Sequence, residues 1–332
     1  MAVSELGSIA EIEGWEAPVH RPWIARMLSG LGNFARKKPL GFVCGVIVIT
    51  FMIIGDVVPA TANKIASVTG LGESPVPYLA DQIEQASGLI YPYAKQDLRA
   101  RLQGPSSTHL LGTDSIGRDI LSRLLYAART AVMVSFGAVL ISSTLQIFLS
   151  IPAGYYGGWY DKLAYRLVDV ADSLPGLVIL ITILGIFGSG LWQMIFVIGV
   201  LGGFGGRSLR GQTIQIMASP FIEAARVIGA SDRRIMARYV LPNIFALVIL
   251  GATLRLGSVV LQEASLSFLG YGLPPPFPSW GQMLSLEGRE YMRTQPGLAI
   301  YPGLAIGLLV FSFNLFGDAL RDVLDPRLRG SK

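Results

Sequence analysis

Six apolar runs, at residues 40–60, 130–154, 167–187, 191–204, 244–269 and 297–316, limit what this chain can become. A helix needs about 20 mainly apolar residues to cross the hydrocarbon of a bilayer. There it must also satisfy its own backbone hydrogen bonds. The fourth run fits least well, because Gly202, Gly203, Gly205 and Gly206 loosen its end. Glycine is nonetheless common in membrane helices, where it lets backbones approach. Hydrophobic residues make up 52% of the chain and charged residues 15%, a balance that a soluble domain of this length would struggle to keep in solution. The expectation is an all-α, polytopic membrane protein with six transmembrane helices.

Lys and Arg collect on the cytoplasmic flanks of such proteins. Arg36, Lys37 and Lys38 precede the first run, and Arg321, Arg327, Arg329 and Lys332 follow the last. The segment 207–238 carries Arg207, Arg210, Arg226, Arg233, Arg234 and Arg238. All are placed inside by an N-in, C-in orientation. The expected organisation is then a cytoplasmic tail at 1–39, a first span at 40–60 and an extracytoplasmic region at 61–129. A core of membrane spans at 130–317 and a cytoplasmic tail at 318–332 complete it. Within the outer region, 78–104 is polar with scattered apolar residues and is expected to lie as an amphipathic helix or loop on the surface. No basic start followed by an apolar core marks a cleaved signal peptide, so the tail is expected to be retained.

The net charge of +5 is absorbed by these flanks, so nucleic acid is not an expected partner. A single cysteine, Cys44, rules out an internal disulfide, and His20 and His109 stand apart without a metal-ligand motif. No metal site is expected. The chain has no G-x-x-x-x-G-K-[ST] phosphate loop; its glycine-rich GVLGGFGGRSLRG lacks the lysine and is read as a close-packing helix end. A convergent set of nucleophile, base or metal ligands is missing as well, so the chain is not expected to be an enzyme.

One polar stretch, SPFIEAARVIGASDRRIMARYVLPN at 219–243, interrupts the apolar pattern. Ser219 is a suitable N-cap, Pro220 suits the first helical position, and Glu223 falls where the helix dipole favours an anion. Gly229 can end that helix in the left-handed conformation, and Ser231 with Asp232 can cap a second one running to about residue 240. Pro242 is expected to stop that helix or bend it into the next span. Small Ala224 and Ala225, edged by Glu223 and Arg226, suit a close-fitting socket on a partner. An amphipathic helix resting on anionic headgroups through Arg233, Arg234 and Arg238 explains the pattern equally well.

EAARVIGASDRRIMARYVLP resembles the EAA loop of binding-protein-dependent ABC importer permeases. Glu223, Ala224, Ala225, Gly229, Leu241 and Pro242 match at the right spacing, while Tyr239 replaces the usual Ile. HLLGTDSIGRDILSRLLYAART (109–130), EASLSFLGYGLPPPFPSWGQML (263–284) and NLFGDALRDVLDPRLRG (314–330) look like signatures of the dipeptide, oligopeptide and nickel group, particularly its second subunit. The likeness covers about 109–330. It implies the type I importer permease fold, with 219–242 as coupling helices docked on a cytoplasmic ATPase. By this resemblance Glu223, Ala224, Ala225, Arg226, Gly229, Asp232, Leu241 and Pro242 are the coupling residues. It further implies a homologous second permease, two ATPases that bind the ATP and Mg, and an extracytoplasmic substrate-binding protein. The chain itself is expected to hold no cofactor. Peptides are the best-fitting cargo, and nickel chelates, glutathione-like compounds and oligosaccharides travel through relatives.

Ionisable residues inside spans are functional candidates. Asp56, Asp169 and Asp172 lie near span ends and are read as structural, with Arg166 one turn from Asp169 as a partner. Arg255 sits near the middle of the fifth run, where an unpaired charge costs about 2.5 to 3.5 kcal/mol on insertion scales. It is expected either to face the translocation path, attracting an anionic substrate group, or to pair with Glu263 or a partner subunit. Glu263 is expected to organise the outer gate. Gly112, Thr113, Asp114, Gly117, Arg118 and Asp119 form the extracytoplasmic signature, in which Asp114, Arg118 and Asp119 are expected to pair locally and fix a short surface helix at the entry to the second span. The competing reading is a secondary transporter driven by an ion gradient, for which paired broken helices in two related halves are needed and no such repeat is visible.

Overall fold

A computed structural model describes residues 34–36, 38–51, 91 and 93–324. Among them the only regular structure is helical, apart from one antiparallel bridge between Thr113 and Asp119. Helix α1 covers Pro39–Phe51. Then come α2, Ile120–Tyr156; α3, Gly158–Ser173; α4, Gly176–Phe187; and α5, Leu191–Gly203. After it come α6, Arg207–Met217, and, within the polar insert, α7, Pro220–Val227, and α8, Asp232–Ile235. The remainder is α9, Leu241–Phe268, the short α10, Trp280–Met283, and α11, Gly297–Leu324.

Among the described residues three helices are long and apolar enough to cross a membrane unaided: α2, the continuous helix Asp232–Phe268 and α11. The run 167–187 is not one straight span. Leu174 is extended at φ −102° and ψ 144° before Pro175, the conformation that a residue preceding proline is driven into. The chain breaks there, and α3 and α4 meet at 89°. Lys162 and Arg166, which fall between the second and third apolar runs, are part of the helix α3. At α2 the helix starts ten residues before the expected 130, because Asp119 caps it by accepting from Ser122 N and Oγ, both at 2.8 Å. The amphipathic helix or loop expected at 78–104 falls partly outside the described residues, whose part of it holds one 3₁₀ turn, Leu98–Ala100. Asp56 also lies outside them.

Helix packing follows small residues. A Cβ on Gly203 would stand 2.3 Å from the Leu145 side chain, and one on Gly199 2.8 Å from Ile141. The glycine-rich end of α5 is therefore what lets it lie against α2. The main core gathers Val134, Met194, Leu266, Trp280, Leu309 and Phe313, all buried. Leu140, Phe148, Ile186, Trp192 and Phe311 lie exposed on the outside, as the surface of a lipid-embedded protein requires. Lys38 bonds Asp322, and the Phe34 and Phe316 rings meet edge to face at 6.5 Å. These contacts bring the start of α1 and the end of α11 to one end of the bundle.

Candidate functional site

The insert folds as a helix, a tight reversal and a second helix. Ser219 is extended at ψ 142° and Pro220 takes the first turn, as their chemistry suggests; the Ser219 hydroxyl makes no capping bond. At the far end Ala230 N–H donates to Ala225 O at 3.0 Å and Gly229 N–H to Arg226 O at 2.9 Å. This pair of bonds is the Schellman closure, and it needs the φ of +79° that Gly229 adopts. The underside is sealed: Ile222, Ala225, Ile235, Val240 and Ile244 are buried with Ile151, Leu209 and Ile216. Ala224 lies on the exposed side with Glu223, so the two alanines face opposite ways.

Arg226 and Asp232 turn back on their own chain. The Arg226 guanidinium lies 5.8 Å from the centre of the Tyr155 ring, and the Tyr155 hydroxyl donates to Asp232 Oδ1 at 2.6 Å. Tyr155, next to last in α2, thus braces both arms of the elbow. Leu241 and Pro242 do not end the second arm. Residues Met236–Val240 form a π-helical turn, and Leu241 N–H donates to Met236 O, five residues back. The wider turn absorbs the missing N–H of Pro242, and Asn243 Nδ2 donates to Tyr239 O at 2.6 Å. One helix therefore runs from Asp232 to Phe268.

Beside it, the bend between α3 and α4, the end of α5 and the middle of α9 enclose a cavity of about 480 Å³. Arg255 borders it together with Asp172 and Gln262. Arg255 fits because residue 202 is glycine: a Cβ there would stand 2.6 Å from a guanidinium nitrogen. It does not pair with Glu263, which is buried and accepts from Ser267 Oγ at 2.7 Å. Nor is Asp169 held by Arg166. Arg207 donates to Asp169 Oδ1 at 2.9 Å and to Asp172 Oδ2 at 2.7 Å, because the bend at Pro175 brings the end of α3 to the start of α6.

Residues 146–330 match the sequence profile of a family described as binding-protein-dependent transport system inner membrane component. The chain belongs to this family. It is also 42% identical over 229 residues to the glutathione transport system permease protein GsiD of Escherichia coli O1:K1, covering 68% of this chain and 75% of that one. It is 41% identical over the same length to GsiD of Pectobacterium atrosepticum and 42% to that of Shigella sonnei. This chain is accordingly an inner-membrane permease of an ATP-driven importer, in a class whose members work with an ATPase and a substrate-binding protein. Membership decides against the ion-gradient alternative.

At the end of the permease opposite the elbow, the GTDSIGRD stretch forms a loop folded on itself, not the expected surface helix, because its Asp114 and Asp119 are buried and bind neighbouring groups. Gly112 and Gly117 adopt φ +84° and +77°, and a Cβ on Gly117 would collide with Asp97 O at 1.7 Å. Thr113 bonds Ala100 O. Asp114 accepts from Ile116 N–H at 3.0 Å, from Arg118 N–H at 2.8 Å and from Arg118 Nε at 2.5 Å. Arg118 Nη2 then reaches Glu287 Oε1 at 2.9 Å, and Asp119 lies 3.0 Å from His109 Nδ1. Burial pushes the Glu287 carboxyl above the usual glutamate range, and the Asp114 charge adds to this, against Arg123 and Arg118.

Sequence reasoning missed Tyr155 and Glu287. It missed Val227 and Ile228 as well, which stand 86% and 78% exposed at the tip of the elbow. For Val227 the signal was present in the helical spacing, which sets it on the face opposite Ile222 and Ala225.

Proposed function

We propose that this permease forms half of a pore with a homologous second permease, and that two ATPase subunits holding ATP and Mg drive it by docking on the elbow at 219–242. The single observation supporting this is the elbow's division into two sides. Its underside is packed into the chain, while Glu223, Ala224, Val227 and Ile228 face outward without a partner among the described residues. A protruding apolar tip beside a carboxylate suits a socket with an apolar floor and a basic rim. The elbow is then cytoplasmic, and the Gly112–Asp119 fold faces the binding protein. Uptake by the reconstituted complex should need ATP and survive an uncoupler; the reverse result refutes the proposal. Glu223→Ala should lower ATPase activity stimulated by the loaded binding protein while leaving thermal stability unchanged.

The cargo is a peptide-like anion, as the name of the glutathione relatives suggests. Arg255 supports this, because its guanidinium borders the cavity with no ion-pair partner among the described residues. A charge-assisted hydrogen bond contributes about 1.5–3 kcal/mol, so Arg255→Met should reduce uptake of glutathione at least about tenfold relative to a neutral tripeptide. Equal losses for both cargoes would remove Arg255 from the path.

A further inference from the structure

Where α2 passes the π-helical turn, a second cavity of about 230 Å³ opens on the outside of the bundle. Ile147, Ile151 and Pro152 form one wall; Met236, Ala237 and Leu241 form the other. The gap has a local cause: residue 237 is small, and the turn widens the helix next to it. Apart from Arg233 at the rim, every lining side chain is apolar, and such a cleft favours hydrocarbon over water. Phe148, also in the lining, is 69% exposed, so the cleft is open on the outer surface of this chain.

Its rim is basic. Arg233, Arg234 and Arg238 are exposed within one and a half turns, and none has an acidic partner among the described residues. Asp232, the adjacent carboxylate, is engaged by Tyr155. The Asp232–Phe268 helix has 37 residues and is about 55 Å long at 1.5 Å per residue, well beyond the hydrocarbon of about 30 Å. The excess must project from the hydrocarbon, and the three arginines favour headgroup level for the first two turns, with the apolar cleft next to them.

We propose that this cleft holds one acyl chain of an anionic phospholipid, with the lipid phosphate on Arg233, in the leaflet on the elbow side. Such a lipid would lie between α2 and the elbow's second arm, making the arm's position depend on membrane composition. The site is independent of the cargo and of the ATPase docking proposed above.

The test uses the full-length permease in its assembled complex, reconstituted in vesicles of phosphatidylglycerol mixed with phosphatidylcholine, extracted, and examined by native mass spectrometry. The wild type should retain phosphatidylglycerol in preference to phosphatidylcholine. Arg233→Gln should lower that retention about fivefold, the effect of one basic residue at an anionic surface, and Arg233→Lys should restore it. Ala237→Trp, which fills the cleft, should remove the bound lipid while leaving the complex assembled. Equal retention of the two lipids, or retention unchanged in Arg233→Gln and Ala237→Trp, overturns the proposal. So does a photo-crosslinker at position 237 that captures another protein subunit instead of lipid.

Discussion

Gly229 offers the cleanest perturbation of the elbow. No atom lies within 4 Å of where its Cβ would stand, so Gly229→Ala changes the backbone preference and nothing else. The left-handed conformation costs an L-residue roughly 1–2 kcal/mol. The stiffer unfolded chain of alanine offsets about 0.4–1 kcal/mol of this. The net is about 1 kcal/mol, and it falls on the two closing bonds, Ala230 N–H to Ala225 O and Gly229 N–H to Arg226 O. If those bonds open as a local unit, 1 kcal/mol corresponds to about fivefold more opening. Hydrogen–deuterium exchange of full-length permease in nanodiscs should show peptides covering 224–231 exchanging about fivefold faster in Gly229→Ala. Gly229→Asn should fall between, since asparagine tolerates this region. Peptides from α9 should not change. An alanine variant that exchanges at the wild-type rate or slower would refute the reasoning, as would acceleration that spreads through α9.

The exposed tip gives a second prediction: Val227→Ser and Ile228→Ser should each weaken binding of the ATPase subunits by at least about tenfold, as loss of a buried aliphatic side chain implies. The thermal stability of the permease should stay the same, because neither side chain is buried in it. Glu287 gives a prediction on pH. Its folded pKa is raised, so its contribution to stability is present at acid pH and is lost as pH rises through the folded value. The melting temperature of Glu287→Gln relative to wild type should therefore move in the variant's favour between about pH 4 and pH 8; a difference constant with pH would count against the burial argument.

Local chemistry made much of the elbow legible. Pro220 starts a helix and Gly229 ends one through preferences carried by a few neighbouring residues, so no distant contact was needed to place them. Proline alone was not decisive. At Pro175 it breaks the chain, with Leu174 extended before it and the polar end of α3 beside it. At Pro242 the helix continues, because a π turn supplies an alternative bonding pattern and Asn243 bonds Tyr239 O. The sequence marks both prolines alike, and packing separates them. Arg123 hid the first turns of α2, since a charge counts against a span, yet its guanidinium is buried 3.6 Å from Asp114. The Tyr155–Asp232 and Arg118–Glu287 contacts join residues 77 and 169 apart, and no periodicity within a segment carries that pairing.

Those two long-range contacts lie at the two ends of the same bundle. With 37 residues, α2 is about 55 Å long. One end carries Asp119 and the fold that binds Glu287; the other carries Tyr155, between Arg226 and Asp232. The Asp232–Phe268 helix has the same length and ends beside Gly281, where a Cβ would stand 2.1 Å from Ala264 O. Trp280 closes the corner by donating to Leu124 O at 2.9 Å. A displacement of α7 must then either carry Tyr155 and Asp232 with it or break the bond between them. In the first case it acts on two continuous helices that meet again at the far end. Pro152, the π turn and Pro242 beside it, the irregular positions in these helices, all lie close to the elbow. Bending is therefore easiest next to the elbow, and the remaining length of each helix is free of proline and π turns as it runs to the opposite end.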